Sequence, residues 1–111
     1  MSNSYADYVL AFKALSDETR LKIVYMLSCR EMCACDILKG LSISQSTLSY
    51  HMKILTECEI VDATRDGAWM RYNLKRVKTQ EIMEFLRVLT MDKEDCICNR
   101  IGSSICDQRI S

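Results

Sequence analysis

Residues 42–55 read Ser42-Ile43-Ser44-Gln45-Ser46-Thr47-Leu48-Ser49-Tyr50-His51-Met52-Lys53-Ile54-Leu55. Leu48, Met52 and Leu55 fall at i, i+4 and i+7, the spacing of one buried stripe on an α-helix. Gln45, Ser46, Ser49, Tyr50 and Lys53 then project from the opposite side. Ser44 occupies the N-cap position, although Thr47 stands where a Glu or Gln would complete a capping box. Upstream, a short helix follows Glu31, with Ile37, Leu38 and Leu41 as its apolar face and Gly40 near its end. A short helix, a tight connection and a second helix with a polar, hydrogen-bonding outer face describe a helix-turn-helix.

Outward from this core, Ile60–Arg65 and Ala68–Leu74 are β-prone runs flanking Asp66-Gly67. Asp-Gly in that setting predicts a hairpin with a type I′ turn, whose two central residues both take positive φ. A helix-turn-helix followed by a hairpin is a winged helix. Tyr5, Tyr8, Val9, Phe12 and Leu15 mark a first helix over 5–15. Ser16 or Asp17 caps a second, carrying Leu21, Ile23, Val24 and Leu27. Ile82, Phe85, Leu86 and Leu89 make an apolar stripe from about 78 to 93. The expected architecture is mainly α with one β-hairpin, a winged helix-turn-helix over 1–93 followed by a cysteine-bearing tail over 94–111.

The chain has 111 residues, 49% of them apolar and 27% charged, which suits one domain with a real core. No apolar run approaches the roughly 20 residues that a membrane helix needs. The first residues carry no basic and apolar secretory signal, so a soluble, cytoplasmic protein with no membrane partner is expected. Formal net charge is zero, without the overall basic excess that nucleic-acid binders often show. Within 44–76, Lys53, Arg65, Arg71, Lys75 and Arg76 outweigh Glu57, Glu59, Asp62 and Asp66 by one charge. Fold and motif therefore carry the functional argument. An enzyme is not expected: there is no Cys/His/Asp set with a credible base and no Gly-rich phosphate loop.

Cysteine is over-represented, with seven residues at 29, 33, 35, 58, 96, 98 and 106. In a reducing compartment such thiols serve as metal ligands or redox sensors more readily than as disulfides. Cys58 reads as a small buried hydrophobe. Cys33-Ala34-Cys35 and Cys96-Ile97-Cys98 repeat a Cys-x-Cys spacing close to acidic residues, and soft thiolates select thiophilic ions. On a helix, residues i and i+2 point about 200° apart. Cys33 and Cys35 are thus expected to share an ion only if the start of their helix unwinds.

From about Ala11 to Leu89 the chain resembles the arsenic-repressor (ArsR/SmtB) family of dimeric winged-helix metal sensors. The resemblance is carried by Phe12–Ile23, the helix-turn-helix from Leu41 to Leu55, the wing Arg65–Tyr72, and Glu31-Met32-Cys33-Ala34-Cys35-Asp36-Ile37, which is close to the family's metal box. It implies a homodimer through the first and last helices that binds double-stranded operator DNA without metal and releases it on metal binding. Gln45, Ser46, Thr47 and Ser49 are expected to meet base edges or phosphates. Tyr50, His51 and Lys53 suit the backbone or groove wall, with His51 a surface hydrogen-bonder, and Arg65 and Arg71 the phosphates or a minor groove.

The family's box usually carries a third Cys three positions after the second, where this chain has Leu38. A trithiolate site for As(III) or Sb(III), the favoured inducers, then needs a thiol from Cys29 or from Cys96, Cys98 or Cys106. The tail cysteines alone are a second arrangement. Both Cys-x-Cys pairs together are a third, suited to Cd, Pb or Zn. The family's Asp/His site on the last helix has no counterpart, since no His lies beyond His51. A thiol redox or persulfide switch joining Cys29 to the tail is the competing reading.

Overall fold

A computed structural model describes residues 4–92. The chain forms α1 (Tyr5–Leu15), α2 (Glu18–Cys29), β1 (Met32–Cys33), α3 (Ala34–Lys39), α4 (Gln45–Glu57), β2 (Val61–Asp66), β3 (Trp69–Leu74) and α5 (Arg76–Leu89). Ser4 and Asp7 close a full capping box at the start of α1. Asp17, not Ser16, caps α2 by accepting from the Arg20 N–H at 3.1 Å. Ser44 caps α4 by accepting from the Thr47 N–H at 3.1 Å.

The β structure corrects the single-hairpin expectation. β1 pairs antiparallel with β3, giving a three-stranded sheet in the order β1-β3-β2. Met32 faces Tyr72 and Cys33 faces Arg71 across that pairing. The hairpin turn is also shifted by one residue. Asp66 pairs with Trp69, so Gly67 and Ala68 are the central residues. Gly67 has φ 64°, and it is the one glycine of positive φ among the described residues. Positive φ at the first central residue alone is the type II′ pattern, which places glycine there.

The core joins all the helices to the base of the sheet: Ala11 and Ala14 of α1, Ile23 and Leu27 of α2, Ile37 of α3, Leu48, Met52 and Leu55 of α4, Ile60 and Val61 entering β2, and Ile82 of α5. α4 ends in a Schellman arrangement. The Ile60 N–H donates to the Leu55 carbonyl at 3.1 Å and the Glu59 N–H to that of Thr56 at 3.1 Å. Glu59 takes the left-handed position at φ 64°, where glycine is usual. Ile60 and Leu55, both fully buried, add the apolar contact that accompanies such an ending. This sharp stop turns the chain directly from α4 into the sheet.

The stripe on α5 is only partly internal. Ile82 is buried, while Met83, Leu86 and Leu89 are exposed, as are Tyr5, Val9 and Leu10 on α1. Phe85 ties these two helices together, stacking on Tyr8 with ring centroids 4.0 Å apart and meeting Tyr5 edge-on. No helix among the described residues is long and apolar enough to cross a membrane.

Candidate metal centre and nucleic-acid interface

The two thiols of the helix-turn-helix lie together in the folded chain, with Cys33 Sγ and Cys35 Sγ 2.7 Å apart. The expected need to unwind a helix is corrected by where that helix begins. Cys33 is the N-cap, extended at φ −84° and ψ 163° and hydrogen-bonded into β1, so only Cys35 follows the helical screw. A side chain leaving the strand can fold over the first turn and meet the residue two positions on. Cys33 is 9% exposed and Cys35 half-buried.

Asp36 completes the cluster, its carboxylate oxygen and both sulfurs lying within 4.8 Å of one another. The Cys33 thiol hydrogen-bonds this carboxylate and holds it below the ordinary aspartate value, with Lys39, Arg30 and Arg71 adding smaller charge effects in the same direction. The same neighbour has the opposite effect on Cys35. Sharing a hydrogen with Cys33 raises the Cys35 thiol, and burial and the nearby Asp36 charge raise it further. Asp36 was not singled out from the sequence, although its place directly after the Cys-x-Cys pair was the available signal.

Cys29 does not belong to this cluster. The chain leaves α2 there and runs extended through Arg30, and among the described residues only Cys33, Cys35 and Asp36 come together. Its exposed Sγ donates instead to the Tyr25 carbonyl at 3.7 Å. Cys58 is half-buried against the core, its thiol raised chiefly by burial. Cys96, Cys98 and Cys106, like the proposed tail as a whole, lie outside the described residues. The described residues thus supply two soft sulfurs and one carboxylate oxygen, a donor set that fits a thiophilic ion but leaves a trithiolate one sulfur short.

The polar face of α4 stands out from the body. Gln45, Ser46, Thr47, Ser49, Tyr50 and Lys53 are all exposed, as is Arg65 on β2. His51 is the correction: it is 8% exposed and turned inward. It lies three residues after Leu48, on the buried stripe, and that spacing was the signal. Arg20 Nη1 donates to His51 Nδ1 at 3.0 Å, which places the neutral ring's hydrogen on Nε2. The same guanidinium donates through Nε to the Ala14 carbonyl at 2.6 Å, satisfying the end of α1. Arg20 therefore locks α1, α2 and α4 together. Arg71 is also engaged, 3.7 Å from Asp66 and 4.0 Å from Glu31. Its place opposite Cys33 puts it beside the thiol pair.

A helix-turn-helix with an exposed polar second helix, a wing and a thiol–carboxylate cluster at the root of that wing define a DNA-binding regulator with a candidate metal centre. The chain belongs to the arsR family of bacterial regulatory proteins, whose model matches residues 17–63. It is a family of transcriptional repressors, not enzymes. The arsenical resistance operon repressor of Staphylococcus aureus is 38% identical over 103 residues, spanning 93% of this chain and 99% of that one. The cadmium resistance transcriptional regulatory protein CadC of Listeria innocua is 42% identical over 74 residues, 66% of this chain and 62% of the relative. Among solved structures, an ArsR-like transcriptional regulator from Rhodococcus sp. RHA1 superposes with a TM-score of 0.70 at 27% identity, covering 77% of this chain and 80% of that chain.

Proposed function

We propose that this chain is a homodimeric repressor that binds operator DNA in its metal-free form and releases it when Cys33 and Cys35 take up As(III) or Sb(III). The observation that carries this reading is the thiol pair, already adjacent and hydrogen-bonded into β1 on one side and α3 on the other. The arsenical resistance repressors, which align over nearly the whole chain, support the choice of ion. Gln45, Ser46, Thr47 and Ser49 would read the major groove, Tyr50 and Lys53 the backbone, and Arg65 the flanking phosphates. The exposed apolar residues of α1 and α5 would form the dimer face.

Coupling follows from shared walls. Cys35 lines a cavity together with Gln45 and Ser49 of α4 and with Trp69 of β3. Cys33 is the β-partner of Arg71 in the wing. An ion that reshapes the pair moves both DNA-facing elements, and its preference for the released shape equals the loss of operator affinity. The third sulfur for a trithiolate would come from Cys96, Cys98 or Cys106.

The test is promoter release followed by fluorescence anisotropy, with wild type beside Cys33→Ser/Cys35→Ser and Cys96→Ser/Cys98→Ser. Arsenite should release the wild type with a coupling of about 5–150-fold and should fail to release the first double variant. Equal response of that variant would overturn the reading.

The cadmium-resistance relatives and the Asp36 oxygen favour a second reading, in which both Cys-x-Cys pairs hold Cd, Pb or Zn. The two differ in proton balance. Arsenite exchanges its hydroxyls for thiols and releases water, whereas Cd(II) must expel the protons that the raised Cys35 thiol retains. Cadmium affinity should therefore climb with pH through neutrality while arsenite affinity stays flat. Release by oxidant or persulfide alone would instead point to a redox switch.

A further inference from the structure

His51 is the one buried polar residue among the described residues, and it sits on the helix that carries the DNA-facing side chains. A buried imidazole needs a partner. Its Nδ1 has one in the guanidinium of Arg20, at 3.0 Å. Arg20 is braced in turn. Its Nε donates to the Ala14 carbonyl at 2.6 Å and its backbone N–H to the Asp17 carboxylate at 3.1 Å, so the ring is tied through α2 to the end of α1. Further charged or titratable groups surround the ring from the same three helices. Asp17 Oδ2 lies 4.0 Å from the same Nδ1, Tyr50 meets the ring edge-on with centroids 5.4 Å apart, and Lys13 is the basic residue in the last turn of α1. A guanidinium keeps its protons at any working pH. The bond to Arg20 therefore exists only while Nδ1 has a free lone pair, that is, while the imidazole is neutral.

We infer that His51 is a positioning residue for operator binding, holding α4 against α1 and α2 through Arg20, and that one proton on its ring releases the hold. The inference rests on the reading of α4 as the helix that meets DNA, and adds a regulator, the proton, that acts without the thiol pair. Protonation turns Nδ1 from acceptor to donor. The imidazolium then faces the Arg20 guanidinium as a like charge at hydrogen-bond distance, and the Asp17 carboxylate beside the same nitrogen becomes its partner. That exchange draws the ring off the Arg20 brace toward the start of α2, and with it the helix that carries Gln45, Ser46 and Ser49. DNA that fits the braced helix binds the neutral form better. The bound protein then holds fewer protons than the free one, and affinity falls as the pH falls. A cation gained beside phosphates would have the opposite effect, so the sign separates a buried brace from a surface contact. His51 is also the chain's one histidine, and imidazole is the side chain whose charge ordinarily changes between pH 5 and 8.

The experiment titrates the full chain, metal-free under a phosphine reductant and a chelator, onto the promoter fragment by fluorescence anisotropy from pH 8 to 5.5 at constant ionic strength. The ring nitrogen-15 spectrum of the wild type and its far-UV circular dichroism are followed over the same range. At pH 8 the spectrum should show the Nε2–H tautomer. Affinity should fall by about ten- to a hundredfold as that ring protonates, the scale of losing a charged hydrogen bond. His51→Asn puts an amide oxygen near the Nδ1 position, where it accepts from Arg20 but gains no proton. It should keep wild-type affinity at pH 8 and lose the acid dependence. His51→Leu fills the site without an acceptor and should bind at pH 8 about as weakly as the wild type does in acid. A wild-type affinity that stays flat or rises in acid overturns the inference, as does an acid loss that His51→Asn retains. Loss of the helical signal over the same range, which means unfolding in place of repositioning, overturns it too. Should the variants not fold, the wild type decides alone, since its affinity curve and ring titration must share one midpoint. Absence of promoter binding at pH 8 would instead sink the DNA-binding reading, and the inference with it.

Discussion

Helix α4 buries Leu48, His51, Met52 and Leu55 and leaves Gln45, Ser46, Ser49, Tyr50 and Lys53 outside. The neighbouring corner where β1 turns into α3 does the reverse, keeping its reactive groups, Cys33, Cys35 and Asp36, buried or half-buried. In α4 the inward residues hold the fold and the outward ones meet the partner. In the corner, Met32 and Ile37 anchor the chain in the core, while the half-buried Cys35 and Asp36 beside them carry the chemistry and little of the stability. The difference teaches that the two regions should fail in different ways when altered.

The sharpest test of the contrast is Leu55→Ala, which removes a fully buried side chain at the C-terminal end of α4. It should cost about 3–5 kcal/mol in a chemical denaturation curve, since the rigid surroundings close only partly over the cavity. Arg20→Ala should follow, at about 2–3 kcal/mol, because His51 Nδ1 and the Ala14 carbonyl both lose a charged donor. Arg20→Lys should recover little, since an ammonium cannot reach both acceptors with a planar fork. Ser44→Ala removes the cap of α4 and should cost about 1 kcal/mol, read as a lowered Tm. In the corner, by contrast, Cys35→Ser should shift the denaturation midpoint by less than any of these while removing the response to arsenite. A loss of several kcal/mol there would break the comparison.

The smallest effect runs the other way. Glu59→Gly relieves the left-handed backbone at the end of α4. It gives up an ion pair with Lys75 at 3.0 Å, which lowers the Glu59 carboxyl and raises the Lys75 ammonium. Both groups are exposed, so the pair contributes little. Net stabilisation of up to about 1 kcal/mol is expected, visible as a higher Tm.

How far these regions were legible in the sequence follows from the range of the forces that shape them. The 5–15 span of α1 and the Ser44 cap of α4 were readable because apolar spacing and N-cap residues are local signals, whereas the Ser4 capping box and the end of α4 at Glu57 were not read. His51 was misplaced because a polar residue was assigned outward by type, although its position on the stripe said otherwise. β1 left no trace that periodicity can detect. Two residues have no alternation, and their extended form is fixed by β3, far along the chain. The geometry of the thiol pair depended on that strand, so it was misread along with it. The turn was off by one because Gly67 satisfies either hairpin register, and only the Asp66–Trp69 pairing chooses between them.

The juxtaposed thiols of Cys33 and Cys35 also set a tempo. Were they assembled from an unwinding helix, capture would saturate at the speed of that opening, however much ligand was supplied. With the pair closed beforehand on β1, the first two bonds form without waiting on the backbone. In stopped-flow mixing, the rate of capture should rise in proportion to arsenical concentration with no plateau, making this corner a sensor paced by encounter.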